Sequence, residues 1–211
     1  MRPTSWCVFP FPVSHIRSPS LQLLGREYYH PLEPGLIYGS ISLHLVASLL
    51  RRLHLSSGKP FRPTAHQAAG YILIPFLTLH LWTHRILPSS PEPPINSLSP
   101  AELGYGFVSH GLRTWPVVSW TTYTALIASG VYHAVFGVPK IISWLRSQRS
   151  NATLATPRKQ GRRIGLPEIF VALVSVLGIG LARLHSEEPG FSRGMERRVD
   201  AVYRTLPWLY R

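Results

Sequence analysis

Four apolar stretches of the sequence are each long enough to cross a lipid bilayer as a helix. They cover residues 33–51, 65–86, 117–138 and 166–184. A hydrocarbon core about 30 Å thick needs roughly 17 to 25 helical residues, and a helix satisfies its own backbone hydrogen bonds without water. The sequence therefore predicts an all-α polytopic membrane bundle with four spans and with both termini on the same side.

The charge of the chain is strongly positive, with 22 Lys and Arg against 9 Asp and Glu. In a soluble protein this balance would suggest nucleic acid as a partner, but beside four apolar spans it indicates the lipid bilayer and its anionic headgroups. The cations divide equally between the two sides of a four-span topology. The positive-inside rule therefore leaves the orientation open.

The spans divide the chain into three parts. Residues 1–30 form a proline-rich arm that we expect to be disordered, residues 31–188 a transmembrane domain and residues 189–211 a basic amphipathic tail. In the tail, apolar residues recur at helical spacing at Met195, Val199, Val202 and Leu206. Two interpretations stay open: a helix lying in the membrane interface on anionic lipid, and a solvated helix packed on a loop.

Clusters of cations beside the spans are candidates for contacts with lipid headgroups. The long stems of Lys and Arg let a charge reach the headgroups from the end of an apolar helix. The candidates are Arg51, Arg52, Arg158, Lys159, Arg162 and Arg163. The last four lie in a basic loop, residues 140–163, for which an acidic partner and simple solvation are the alternatives.

Three histidines, His44, His80 and His133, lie deep inside predicted spans. Ionisable residues in a bilayer are costly and usually face the bundle interior, so each is a functional candidate. Each could bond to Ser or Thr in a polar seam between helices, or two of them could hold a b-type haem. At 1.5 Å per residue, His44 and His80 are the closest pair in depth, whereas His80 and His133 are too far apart. His66 and His84 are expected at headgroup level.

The sequence contains none of the residue patterns that we would expect of an enzyme. No span carries paired carboxylates, and there is no phosphate-binding loop and no nucleophile elbow with triad partners. The single cysteine, Cys7, excludes an intrachain disulfide and a cysteine zinc cluster. We therefore predict no catalytic residue, no metal site and no cofactor apart from the haem alternative.

Several strings of the sequence, taken in order, resemble one family. They are REYYHPLEP (26–34), a histidine-bearing span that ends in LLRRL, AHQAAGYILIPFLTLHLWTHR (65–85), YGFVSHGL (105–112) and WTTYTALIASGVYHAVFG (120–137). Over residues 26–184 the chain is similar to the fungal mitochondrial outer-membrane adapter family of Mdm-ten complementing proteins. Its membrane domain is also remotely similar to the membrane-anchor subunits of succinate dehydrogenase and fumarate reductase, which favours the haem alternative.

The resemblance implies a multi-pass protein of the mitochondrial outer membrane that acts in lipid homeostasis and is not an enzyme. It also implies recruitment of a bridge-type lipid-transfer protein through an N-terminal Pro-x-Pro motif, which here would be Pro10, Phe11 and Pro12. A proline-stiffened segment can add to a sheet edge or dock in an aromatic groove at low entropic cost. These three residues are therefore the candidate partner-binding site.

The sequence departs from this family in one respect. Members usually have five spans, and the first would precede REYYHPLEP, where this chain has only SPSLQLLG. Two interpretations follow, a lost span and a truncated gene product.

Overall fold

The computed structural model describes residues 32, 34–55, 62–99, 102–149 and 165–210. The proposed recruiting motif and four of the candidate headgroup contacts lie outside these residues. They are Pro10, Phe11, Pro12, Arg158, Lys159, Arg162 and Arg163. Every regular element in the described part of the chain is helical, which confirms the all-α prediction.

The chain divides into two units, residues 1–60 and 61–211. The first contains α1, Ser40–Leu55, which continues from a π-helical segment, Pro34–Gly39. Most apolar side chains of α1 are exposed, as expected of a helix that faces lipid. Two of the candidate headgroup contacts, Arg51 and Arg52, lie near its C-terminal end, where their role stays a prediction.

The second unit contains the remaining helices. Helix α2, Ala65–Leu81, continues as a π-helical segment, Trp82–Ile86, and a short 3-10 turn, Leu87–Ser89. After it come α3, Tyr105–Thr114; α4, Pro116–Arg149; α5, Leu166–Ser186; and α6, Arg193–Arg204. Of the helices that the structure describes, only α4 and α5 are long and apolar enough to cross a membrane. The other two predicted spans stay predictions.

Helix α4 packs between α2 and α5 and runs antiparallel to both. Against α5, Tyr132 contacts Phe170 near the start of that helix, and Trp120 lies beside His185 near its end. The ring centroids are 5.5 and 5.9 Å apart, respectively. This three-helix bundle is the part of the fold that positions the histidines.

The end of α4 differs from the prediction. The third span was expected to end at Val138 and to be followed by a basic loop, but the helix continues through Pro139 to Arg149. A proline inside a helix removes one backbone hydrogen bond and can kink the helix, yet the flanking turns can keep their own bonds. Residues 140–149 are therefore helical, and the prediction of a loop there was wrong.

A folded cap closes the bundle at the end where α2 and α5 finish and α4 begins. The cap comprises residues 87–99, 102–115 (which include α3) and 191–210. Its core consists of Ile95, Leu98, Phe107, Trp115, Val199, Val202, Tyr203 and Tyr210. The rings of Phe107 and Tyr203 stack at 5.0 Å, and the Tyr203 hydroxyl donates to the carbonyl oxygen of Phe107 at 3.1 Å. Burial raises the pKa of Tyr203 well above its usual range, so its hydroxyl stays a donor.

Helix α6 resolves the two interpretations of the tail. Val199 and Val202, on its predicted apolar face, are fully buried in the cap core. Arg198 donates from Nε to the carbonyl oxygen of Ile95 at 2.8 Å and from Nη1 to Glu102 Oε1 at 2.9 Å. These contacts are those of a helix packed on a loop, so the apolar face of α6 is covered by protein.

The pair formed by Arg198 and Glu102 makes the cap sensitive to acid. Burial by itself would raise the pKa of Glu102, but a hydrogen bond from the Ser99 backbone and the charge of Arg198 together lower it below its usual 4.5. A lowered pKa in the folded state means that the pair stabilises the cap above pH 4.5. This contribution is lost as the pH falls through the lowered pKa, and it is small because both side chains are partly exposed.

We expect Phe107→Ala to loosen the cap. Phe107 is 1% exposed, and removal of a buried Phe ring costs about 3–5 kcal/mol. The measurement is amide hydrogen exchange of α6 in the full chain in detergent, which should become much faster. Tyr105→Ala, on the same helix but at a residue that is 65% exposed, is the control; equal exchange in the two variants would contradict the assignment of the cap core.

Candidate functional site

The interface between α2 and α4 is the candidate functional site, since histidines occupy both of its ends. At the first end the rings of His66 and His133 stack, with centroids 4.3 Å apart and planes 18° apart. His133 donates from Nδ1 to the carbonyl oxygen of His66 at 3.2 Å. A carbonyl oxygen can only accept, so this bond places a proton on Nδ1 of His133.

Each histidine of this stacked pair sits on a glycine of the opposite helix. A Cβ atom added at Gly70 would lie 2.9 Å from the imidazole of His133, and one added at Gly137 would lie 2.8 Å from Nε2 of His66. Small residues allow helices in membranes to approach closely. The two contacts are reciprocal, so they set both the spacing and the register of α2 against α4.

The second end of the interface holds His80, His84 and Tyr123. The rings of His80 and His84 lie 4.3 Å apart, and Nε2 of His84 is hydrogen-bonded to the Tyr123 hydroxyl at 2.8 Å. His84 also contacts the ring of Phe107 in the cap edge-on at 5.1 Å. His84 belongs to the π-helical segment, a type of turn that is frequent at functional sites. Through the contact of His84 with Phe107, the cluster joins the bundle to the cap.

A narrow cleft opens at this second end. Its volume is about 10 Å³, which is close to the space that one water molecule needs. The lining residues carry no formal acid, Lys or Arg; they are Phe76, Leu79, His80, Thr83, His84, Thr122, Tyr123, Leu126 and Tyr210. The cleft can exchange hydrogen bonds with a hydroxyl or a water, and it is far too small for a haem macrocycle.

The structure separates His80 from His133 and pairs each of them with a histidine that was expected at headgroup level. His80 and His133 both face the α2–α4 interface but lie at opposite ends of it. His133 contacts Gly70, ten residues before His80, which is roughly 15 Å along a helix. These two imidazoles therefore do not share one haem. His44 lies in the other unit, so the pairing of His44 with His80 stays a prediction.

Sequence reasoning missed several partners in this site. His66 and His84 were expected at headgroup level, and their contacts with His133 and Tyr123 were not foreseen. Tyr123 has no unusual sequence signal, because its role follows only from the antiparallel register of α2 and α4. In the cap, Nε2 of His110 lies 2.7 Å from Oδ1 of Asp200, ninety residues away. Because the two residues lie far apart in the sequence, only the folded structure shows that they pair.

A family model described as "MDM10-complementing protein 1, transmembrane domain" matches residues 75–185, which is more than half of the 211 residues. The match covers the C-terminal part of α2 together with α3, α4 and nearly all of α5. It therefore contains His80, His84, Tyr123 and His133. No curated protein and no solved structure matches the chain.

We expect Gly70→Ala to destabilise the bundle. The added methyl group would collide with the imidazole of His133 at 2.9 Å, so the ring or the helix must move. Gly178→Ala in α5 is the matched control, because nothing lies within 4 Å of the position of its Cβ. That control should be neutral or gain roughly 0.5–1 kcal/mol from better helix propensity. Thermal unfolding in detergent distinguishes the two, and equal melting temperatures would contradict the contact.

We expect Tyr123→Phe to destabilise the second end of the interface. It removes the hydroxyl that is bonded to His84 at 2.8 Å and leaves the ring nitrogen unpaired, which costs about 1–3 kcal/mol. Tyr132→Phe on the same helix is the control, since Tyr132 packs through its ring on Phe136 and Phe170. The free energies of unfolding in denaturant should differ by this amount. The hydrogen bond has no such role if the two variants unfold alike.

Proposed function

Because the chain belongs to the family described as MDM10-complementing protein 1, transmembrane domain, we propose that it is a multi-pass protein of the mitochondrial outer membrane. In this proposal it serves in lipid homeostasis as an anchor or adapter for a lipid-transfer protein. The family match over residues 75–185 is the observation that carries this proposal. It agrees with the resemblance that the sequence itself displays over residues 26–184. The membrane character belongs to the family, whereas the location and the partner are proposed.

The surface of the bundle supports a role in a membrane. On α5, Val171, Val176 and Ile179 are 58%, 66% and 69% exposed. In water, side chains of this size would form an extended apolar patch on a helix that is 21 residues long. In a bilayer the same side chains face acyl chains at no cost. The lipid bilayer is therefore the first partner of this protein.

The histidines of the α2–α4 interface support an anchor rather than a catalyst. His133 bonds to a backbone carbonyl, and His84 bonds to the hydroxyl of Tyr123. Both rings also pack against other side chains across a helix contact. These contacts hold helices together, which is the role that polar side chains commonly have between membrane helices.

The proposed adapter role depends on the N-terminal arm. Pro10, Phe11 and Pro12 would be the segment that the lipid-transfer partner binds, by strand addition or in an aromatic groove. The bundle would then supply location, and the basic residues around the spans would contact anionic headgroups. Such a division of labour requires that arm and bundle act independently.

We expect the full chain, tagged at its C-terminus and expressed in a fungal host, to fractionate with mitochondria and to retain a bridge-type lipid-transfer protein in mild detergent. Pro10→Ala with Pro12→Ala should remove most of the partner without changing the location, because only the docking segment is altered. Pro3→Ala with Pro19→Ala in the same arm is the matched control. Quantitative mass spectrometry of the purified material measures the retained partner.

The possible failures of this experiment are distinct. A chain that is absent from mitochondria contradicts the proposed location. A mitochondrial chain that retains no lipid-transfer protein contradicts the adapter role. Equal retention by the two double variants contradicts the assignment of the docking segment to residues 10–12.

A further inference from the structure

Helix α4 is longer than the bundle that it belongs to. It has 34 residues, which span about 51 Å at 1.5 Å per residue. At one end of the bundle, His66 in the first turn of α2 lies against Gly137, and Phe170 near the start of α5 contacts Tyr132. Both neighbours therefore begin close to the level of Gly137. Beyond it, residues 138–149 continue for roughly 18 Å past the described starts of α2 and α5; we call them the overhang.

The overhang is amphipathic. Val138, Ile141, Ile142 and Leu145 follow the i, i+3, i+4, i+7 spacing that places residues on one face of a helix. They are 51%, 60%, 41% and 47% exposed, and Trp144 at the edge of this face is 59% exposed. The other face carries Lys140, Ser143 and Ser147, which are all exposed. Among the described residues, an apolar stripe is therefore exposed at the end of the bundle.

Charge distinguishes this end of the second unit from the other. The overhang contains the cations Lys140, Arg146 and Arg149 and no acid, and Glu168 is the only acid among the described residues at this end. Six acids lie at the cap end: Glu92, Glu102, Glu187, Glu188, Glu196 and Asp200. The end that bears the overhang is thus complementary to an anionic surface.

We propose that the overhang lies in the interface of an anionic membrane, with its apolar stripe at the boundary of the acyl chains and with Lys140 and Arg146 among the headgroups. Amphipathic helices with a basic polar face bind membranes in this way, and Trp is favoured at headgroup level. Pro139 stands where the helix leaves the bundle, and a proline is the usual cause of a bend. Projection straight into water would leave the whole stripe hydrated.

This inference rests on the proposed membrane role and deepens it, because it assigns the contact with anionic headgroups to one helical segment. This contact with the membrane depends on lipid composition, because the electrostatic part exists only where headgroups are anionic. It does not involve the N-terminal arm, so failure of the adapter proposal leaves it unaffected.

The test measures the depth of two residues on opposite faces of the overhang. In the full chain, Cys7→Ser removes the only cysteine, and Leu145→Cys or Ser147→Cys then accepts a nitroxide label. Residues 145 and 147 are separated by about 200° around the helix. The two labels therefore lie on opposite faces of the overhang at nearly the same position along its axis. Electron paramagnetic resonance measures collisions with oxygen, which concentrates in lipid, and with a water-soluble nickel chelate.

In vesicles of equal parts phosphatidylcholine and phosphatidylglycerol, we expect the label at residue 145 to collide several-fold more with oxygen than the label at 147. The nickel chelate should show the reverse. In phosphatidylcholine alone, or with Lys140→Gln and Arg146→Gln, the label at 145 should become shallower. Arg193→Gln with Arg197→Gln, two exposed cations of the cap, should leave its depth unchanged.

Three outcomes would overturn the proposal. Equal access of the nickel chelate to both labels means that the overhang projects into water. Protection of residue 145 from oxygen and from nickel alike means that protein, such as a second copy of the chain, covers the stripe. Equal depth of the label at residue 145 in neutral and anionic vesicles means that Lys140 and Arg146 do not bind the overhang to anionic lipid.

Discussion

The close approach of α2 to α4 is the contact on which the rest of the second unit depends. It is possible because two glycines, Gly70 and Gly137, each leave room for an imidazole of the facing helix. Lipid does not press helices together as water does, so helices in a membrane associate through packing and interhelical hydrogen bonds. The stacked pair of His66 and His133 supplies both. The packing of these rings and their hydrogen bond explain how titratable side chains can be accommodated in an apolar bundle.

The same register determines what happens at the other end of the interface. Once His133 lies on Gly70, the antiparallel helices bring Tyr123 opposite His84, where their side chains bond at 2.8 Å. His84 then contacts Phe107, which is stacked on Tyr203 in the cap. A continuous series of ring contacts thus runs from the bundle into α6. The cap is held by the bundle as well as by its own ion pair and hydrogen bonds, so its position follows from the helix register.

The sequence predicted the all-α class and the family, because long apolar segments and ordered local strings are features that a single segment displays. It did not predict the cap. There the partners are far apart in sequence, as with Phe107 and Tyr203 or Glu102 and Arg198, so the sequence showed the apolar face of α6 but not what covers it. The role of Tyr123 depends on the register of two helices, which no local pattern encodes. The continuation of α4 past Pro139 was missed because a proline and a run of cations predict a helix end.

The two ends of the second unit differ in the distribution of their charged and apolar side chains. At the cap end, charges of both signs occur together, and Glu102, Arg198, His110 and Asp200 pair within the protein. At the other end, Glu168 is the only acid among the described residues, and the apolar stripe of the overhang is exposed. Cations next to an exposed apolar stripe suit a surface with anionic groups above acyl chains. The proposed membrane contact of the overhang thus accounts for the difference in charge between the two ends, although the equal count of cations on the two sides leaves the orientation open.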